Sequence, residues 1–297
     1  MSTPFVVDAH LHVFDRSDVS PRSVSELTPA DRTAAPETLR ERMGEAQVDH
    51  AVLVALDEHD HAVRDACAAH PGVFSAVLIA GRVEQGRTEQ DPVAAIEARA
   101  EGLPLVGVRS MWLGEPGRSL RDSPVRPLLH WMERRGLVLW SYLPPDQVAF
   151  LPALAELHPE LRVVLNHLGF APHDMEVDEY ARPLFRDPFP AREVARVRSL
   201  AVHPSMHLHF SGQYALSAGG HPYDDIADAT RSLVDAFGAD RTMWGSDWPW
   251  IDVAPGYRAT RELVDHVLAG ASRHERDAVS GGTAARVLHI SPRSNER

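Results

Sequence analysis

The sequence predicts an α/β protein built as a closed parallel (β/α)₈ barrel. Apolar runs of strand length alternate with amphipathic runs of helix length along the chain, and there are eight of the former. The strand-like runs are almost continuously apolar, the pattern of strands covered on both faces. A length of 297 residues also suits one such barrel.

The strand-like runs lie at 5–10, 51–56, 73–79, 105–110, 137–142, 162–167, 206–211 and 241–246. Helical periodicity fills the intervals at 37–47, 59–70, 92–101, 125–135, 146–158, 190–200 and 224–237, and the closing region 256–288 fits two helices. No repeat, low-complexity tract or Gly/Ser linker divides the chain, so one domain over 1–297 is expected. Segments 16–35 and 170–189 are longer than the rhythm requires and follow strands one and six. In a barrel, segments after strand ends build the catalytic face, so both are candidate active-site loops.

Composition narrows the partners. Hydrophobic residues make up 44% and charged residues 24%, as in a globular protein with a large core. A formal net charge of -12 argues against nucleic acid and anionic membranes. A small-molecule substrate is the expected partner, and an anionic one would need local arginines. No uncharged stretch approaches a membrane span, and the N-terminus lacks a basic region followed by an apolar run, so the cytoplasm is the expected compartment. Oligomeric state is not legible. The single cysteine, Cys67, excludes an internal disulfide and reads as a packed thiol in a helix. All 30 basic residues are arginine. The absence of lysine removes Schiff-base chemistry and any two-metal site bridged by a carboxylated lysine.

The chemistry concentrates where strands one, six and eight end. The first closes on Val7-Asp8-Ala9-His10-Leu11-His12, and residues two apart in an extended chain share a face, so His10 and His12 can project together into the barrel mouth, a chance alternation or a surface pair being the alternative. Imidazole is a common metal ligand, and two on one strand make half of a zinc or manganese site. Strand six closes on Asn166-His167-Leu168-Gly169, where His167 is either a hydrogen-bonded core histidine or a third member of the set. Strand eight closes on Gly245-Ser246-Asp247-Trp248-Pro249. A carboxylate in that setting is costly unless paired, and a helix N-cap is the alternative role for Asp247.

Other residues are placed to read a substrate. Arg109 ends strand four and can fork onto a carboxylate or polarise a carbonyl; a rim ion pair is the alternative. Tyr142 shares a face of strand five with Trp140 and serves either as a pocket donor or as core. His209 alternates with His207 on strand seven and lies nearer the catalytic end. His173, in the loop after strand six, can reach over the mouth or stand as an exposed loop histidine. The run Asp57-Glu58-His59-Asp60-His61 reads mainly as a solvated loop and helix start, its acids favouring the helix N-terminus.

Taken together, DAHLHVFD, NHLG, GSDWP and the terminal GGTAARVL resemble the amidohydrolase-related TIM-barrel hydrolases, with sugar lactonases and 2-pyrone-4,6-dicarboxylate lactonase the most similar branch. The resemblance spans the chain, although GGTAARVL lacks the family's usual asparagine. It implies that His10, His12, His167 and Asp247 form a mononuclear metal shell holding one divalent ion, zinc or manganese, or its metal-free equivalent, since some lactonases of this group keep the His-x-His yet work without metal. Family members often carry lysine where His209 stands, which bears on the substrate. The implied reaction is lactone or cyclic ester hydrolysis. Asp247 would act as general base, with the histidines or a metal stabilising the oxyanion alongside Arg109. A metal-dependent non-oxidative decarboxylase is the alternative within the superfamily, and an inactive small-molecule binding barrel the alternative outside catalysis.

Overall fold

The computed structural model describes residues 4–16, 32–58, 60–81 and 91–292. Most of the insertion expected at 16–35, and His59, lie outside the described residues.

Eight parallel strands form one sheet in strict chain order: β1 (Val7–Leu11), β2 (His50–Val54), β3 (Phe74–Ile79), β4 (Leu105–Ser110), β5 (Val138–Ser141), β6 (Val163–Leu165), β7 (Met206–Phe210) and β8 (Thr242–Trp244). Backbone bonds close the ring just past β8. Asp247 N donates to His10 O at 2.9 Å, and His12 N donates to Trp248 O at 2.9 Å. The fold is the expected (β/α)₈ TIM barrel.

The strands separate two cores. Val7, Ala9, Val52, Val54, Val77, Val138, Trp140, Val164 and Met243 fill the barrel interior. Leu53, Leu78, Val108, Leu139, Leu165 and Leu208, which alternate with them, pack outward beneath the helices. This two-sided burial is why most of the strands read as apolar runs. The helices bury single stripes. In Tyr257–Val267, Tyr257, Thr260, Leu263, Val264 and Val267 face inward at helical spacing. A fully buried leucine such as Leu263 contributes about 1.5–3 kcal/mol.

The terminal motif closes the N-terminal end of the barrel. Arg273–Asp277 starts from a capping box of Ser272 and Glu275, a π turn spans Ala278–Gly282, and a last helix spans Thr283–Val287. A Cβ on Gly281 would lie 2.2 Å from Phe5 O and 2.6 Å from Val7 N, so only glycine lets this turn press on the start of β1. Ala284, Val287 and Leu288 then join the interior core.

Within 170–189 the chain forms an antiparallel hairpin of Met175–Val177 and Pro183–Phe185. Strands of three residues are too short to show a period. The turn is set by Asp178, which accepts from Tyr180 N and Arg182 N, each at 2.9 Å. Among the described residues, no helix is long and apolar enough to cross a membrane.

Candidate active site

The histidine pair owes its aim to a bulge. Between Asp8 and Leu11, β1 advances three residues while β2 advances two, from Ala51 to Leu53. Val7 and Ala9 point inward before the irregularity, and Leu11 packs in the outer core after it. His10 and His12 are thereby turned into the barrel, the re-aiming for which bulges near active sites are used. Asp8 anchors the bulge. Its Oδ1 accepts from His10 N at 3.2 Å and from Ser246 N at 2.9 Å, and its Oδ2 accepts from the Tyr257 hydroxyl at 2.8 Å. Burial raises the Asp8 carboxyl to about 6 in spite of these bonds. Asp8 thus ties β1 to the residue preceding Asp247.

Asp247 stands at the centre of a ring of imidazoles. Its Oδ1 lies 3.3 Å from His12 Nε2 and 3.5 Å from His10 Nε2, and its Oδ2 lies 3.8 Å from His167 Nε2. The ligand atoms of His10, His12 and Asp247 all fall within 4.8 Å of one another. The His10 ring meets both the His12 and the His167 ring edge-on at 5.0 Å. His12 Nδ1 lies 2.7 Å from Val54 O, and a carbonyl can only accept, so that nitrogen carries the proton. Burial drives the pKa of His10 well below its ordinary value, with His167 and His12 adding to the effect. Burial also lowers His12, against the opposing pull of Asp247. Both rings are therefore held neutral, as ligands must be.

Local backbone and glycines make room for this ring. Asp247 (φ 59°) and His167 (φ 47°) both occupy the left-handed region, which costs a non-glycine residue on the order of 1–3 kcal/mol when the surroundings impose it. A Cβ on Gly245 would sit 2.8 Å from His10 Cβ, and one on Gly212 would sit 2.7 Å from His167 Cβ. His167 is further fixed through Nδ1, 3.0 Å from Ser211 Oγ. Asp247 does not cap a helix. Instead its Oδ2 accepts from the Tyr214 hydroxyl at 2.7 Å.

The remaining residues fall at graded distances from this centre. Arg109 is buried, its guanidinium 4.9 Å from the centre of the Tyr142 ring, and its charge reaches His10 and His12. Tyr142 meets His167 edge-on at 5.5 Å. His209 is fully buried beneath the cluster, 5.3 Å from the His10 ring and 5.7 Å from Trp140. His173 has local partners instead: Nδ1 lies 2.8 Å from Ala171 O, and its ring leans on Phe170. In the acidic run after β2, the expectation of a solvated segment fails at Asp60. That carboxylate is buried and takes a two-pronged bond from Arg99, at 2.6 and 2.9 Å, so it is a structural ion pair between helices. Cys67 is buried as expected, and burial pushes its thiol up to about 12.

Asp8, Ser211 and Tyr214 also touch the cluster, and no motif or period in the sequence singles them out for it. Asp8 nevertheless stands inside the motif that points to His10, so its position carries a signal. Tyr214 sits in a four-residue helix, Gln213–Leu216, where no periodicity marks it.

The donor set fits a divalent ion. His10 Nε2 and His12 Nε2 are buried without a hydrogen-bond partner and face a carboxylate oxygen. A second His130/Glu133/His158 grouping lies on the helical layer, where Glu133 Oε2 is 3.0 Å from His158 Nδ1.

The chain is similar to known proteins over most of its length. The amidohydrolase family model matches residues 7–290. An L-fucono-1,5-lactonase of Burkholderia ambifaria is 26% identical over 251 residues, covering 82% of this chain and 80% of that protein. A 2-pyrone-4,6-dicarboxylate hydrolase of Comamonas testosteroni is 27% identical over 279 residues, covering 88% of this chain and 87% of that protein. A crystal structure of a Burkholderia multivorans amidohydrolase with bound zinc superposes with a TM-score of 0.73 at 23% identity, covering 97% of this chain and 100% of that one.

Proposed function

The chain belongs to the amidohydrolase family, and from that premise we propose that it opens a lactone or related cyclic ester by attack of water. The observation that carries the reading is the convergence of Asp247 with His10, His12 and His167 at one end of the barrel, beside Arg109. A base, a set of neutral imidazoles and a buried cation are what acyl transfer to water needs.

Asp247 takes a proton from water, and the resulting hydroxide adds to the ester carbonyl. His167 and Arg109 stabilise the oxygen that becomes negative. Asp247 then returns the proton to the leaving alkoxide, so one carboxylate serves both halves of the reaction. His10, His12 and Asp247 are the residues that would hold a divalent ion, with His167 beside them. The chemistry such an ion supplies is charge stabilisation at an oxygen and acidification of water.

Substrate charge is part of the proposal. The similarity to a hydrolase of a pyrone dicarboxylate supports an anionic ring. With a net charge of -12 on the chain, such a substrate needs the Arg109 cation close at hand. The test is acid release from a panel of neutral sugar lactones and carboxylated lactones, followed with a pH indicator. Turnover of at least one lactone is expected. Carbon dioxide release from a hydroxylated aromatic acid, with no acid released from any lactone, would move the protein to the decarboxylase reading.

A further inference from the structure

The hairpin inserted after β6 is connected to the active-site carboxylate through Tyr214. Tyr214 donates its hydroxyl to Asp247 Oδ2 at 2.7 Å. Its ring is buried, and the Arg182 guanidinium lies 5.2 Å from the ring centre. Arg182 belongs to the hairpin. Its Nε donates to Asp178 Oδ2 at 2.6 Å across the turn, and its guanidinium also lies 4.9 Å from the centre of the Tyr180 ring. Another guanidinium nitrogen donates to the carbonyl of Ala254 in the segment after β8. One arginine thus joins the hairpin, the turn after β7 and the segment after β8.

The phenol does what a phenyl ring of the same shape cannot. A carboxylate turns easily about its last bond, because that torsion is broad. With Oδ2 held by Tyr214, the other oxygen is presented to His12 and His10, at 3.3 and 3.5 Å. The two oxygens then have separate duties. We propose that Tyr214 is a positioning residue for Asp247, and that the hairpin acts through Arg182 to set how firmly Tyr214 holds it. The proposal rests on the reading of Asp247 as the base. It gives the hairpin a definite role: its seating determines the aim of the base.

The test compares Tyr214→Phe, Arg182→Met and the double variant on the lactone that the wild type opens best. Zinc affinity of each metal-stripped protein is measured in parallel by competition with a chromogenic chelator. Removing the hydroxyl is expected to lower kcat by about ten-fold or more while KM moves much less, since a misaimed group loses rate rather than binding. Zinc affinity should weaken as well. Arg182→Met should lower kcat by a smaller factor, and the double variant should match Tyr214→Phe, because residues acting in series are not additive. Wild-type kcat and zinc affinity in Tyr214→Phe overturn the proposal, as do losses that simply multiply in the double variant. If Arg182→Met unfolds, Asp178→Asn loosens the same arginine and takes its place. If the wild type opens no lactone, the functional reading falls, and the zinc comparison alone decides the role of Tyr214.

Discussion

His12 Nε2 and Asp247 Oδ1 face each other across 3.3 Å, while the other nitrogen of His12 is committed as a donor to Val54 O at 2.7 Å. With a neutral ring, both facing atoms carry lone pairs. Such a pair is unfavourable unless a cation or a proton lies between them. Burial disfavours carrying that proton on the ring as the imidazolium of His12, against the pull of Asp247. The arrangement is one that can hold a cation, and His10 Nε2 supplies a further donor 3.5 Å from the same oxygen.

One tightly held divalent ion per chain is the expected outcome, because the buried grouping is compact and the chain has no lysine to bridge two metals. Elemental analysis of protein purified with added zinc should give one equivalent that survives dialysis, and His12→Ala should lose it. Any ion at His130, Glu133 and His158 should dialyse away, since Glu133 there is already paired with both histidines. Two retained equivalents, both needed for activity, would contradict this. Full activity after removal of all metal would place the protein with the lactonases that work without it.

The parts legible in the sequence are those with a period or a motif. The strands are visible because Val52, Val54, Val77 and Val164 face the interior while Leu53, Leu78 and Leu165 face the helices, leaving continuous apolar runs. His10, His12, His167 and Asp247 are visible because each ends such a run. The β1 bulge is not visible, since an extra residue leaves no mark on hydropathy, yet it is what turns His10 inward. Tyr214 and Arg182 are hidden for a different reason. Their roles depend on contacts with Asp247 and Ala254, which lie far along the chain and meet them only in the folded barrel.

Asp247→Asn should abolish nearly all turnover with the fold intact. The amide keeps the shape of the carboxylate but cannot take a proton from water. A general base contributes about 10²–10⁴-fold, and a loss in that range is expected in kcat. Near-wild-type activity in a folded variant would remove Asp247 from the role of base.

Acid should destabilise the protein through His207. Burial lowers this histidine to about 4, and Arg286, Arg241 and Arg162 add to the effect against the bond to Ser205 O. The unfolded chain binds this proton near the ordinary value of 6.5, so between there and about 4 the unfolded state holds more protons. Stability is full above the upper limit and falls as pH drops through the window, by at most about 3 kcal/mol. His207→Asn keeps a donor for Ser205 O and removes the titration. The difference in urea midpoint between wild type and variant, followed against pH, should shrink or reverse toward pH 4 in favour of the variant. Parallel curves would show that His207 is protonated in the fold as readily as in the unfolded chain.

Arg109 should discriminate between substrates by charge. Its guanidinium is buried against Tyr142, whose ring in turn meets His167 edge-on, so this cation lies beside the proposed reaction centre rather than on the outer rim. Truncating one partner of a buried charged hydrogen bond costs about 2–5 kcal/mol. Arg109→Met is therefore expected to lower kcat/KM for a carboxylated lactone by an order of magnitude or more. The comparison with a neutral sugar lactone on the same folded variant assigns the role. A smaller loss on the neutral ring means that Arg109 binds the carboxylate, which appears mainly in KM. An equal loss on both rings means that it polarises the scissile carbonyl, which appears mainly in kcat. Unchanged kinetics on both would reduce the Arg109–Tyr142 stack to packing, and the case for an anionic substrate would lose its cation.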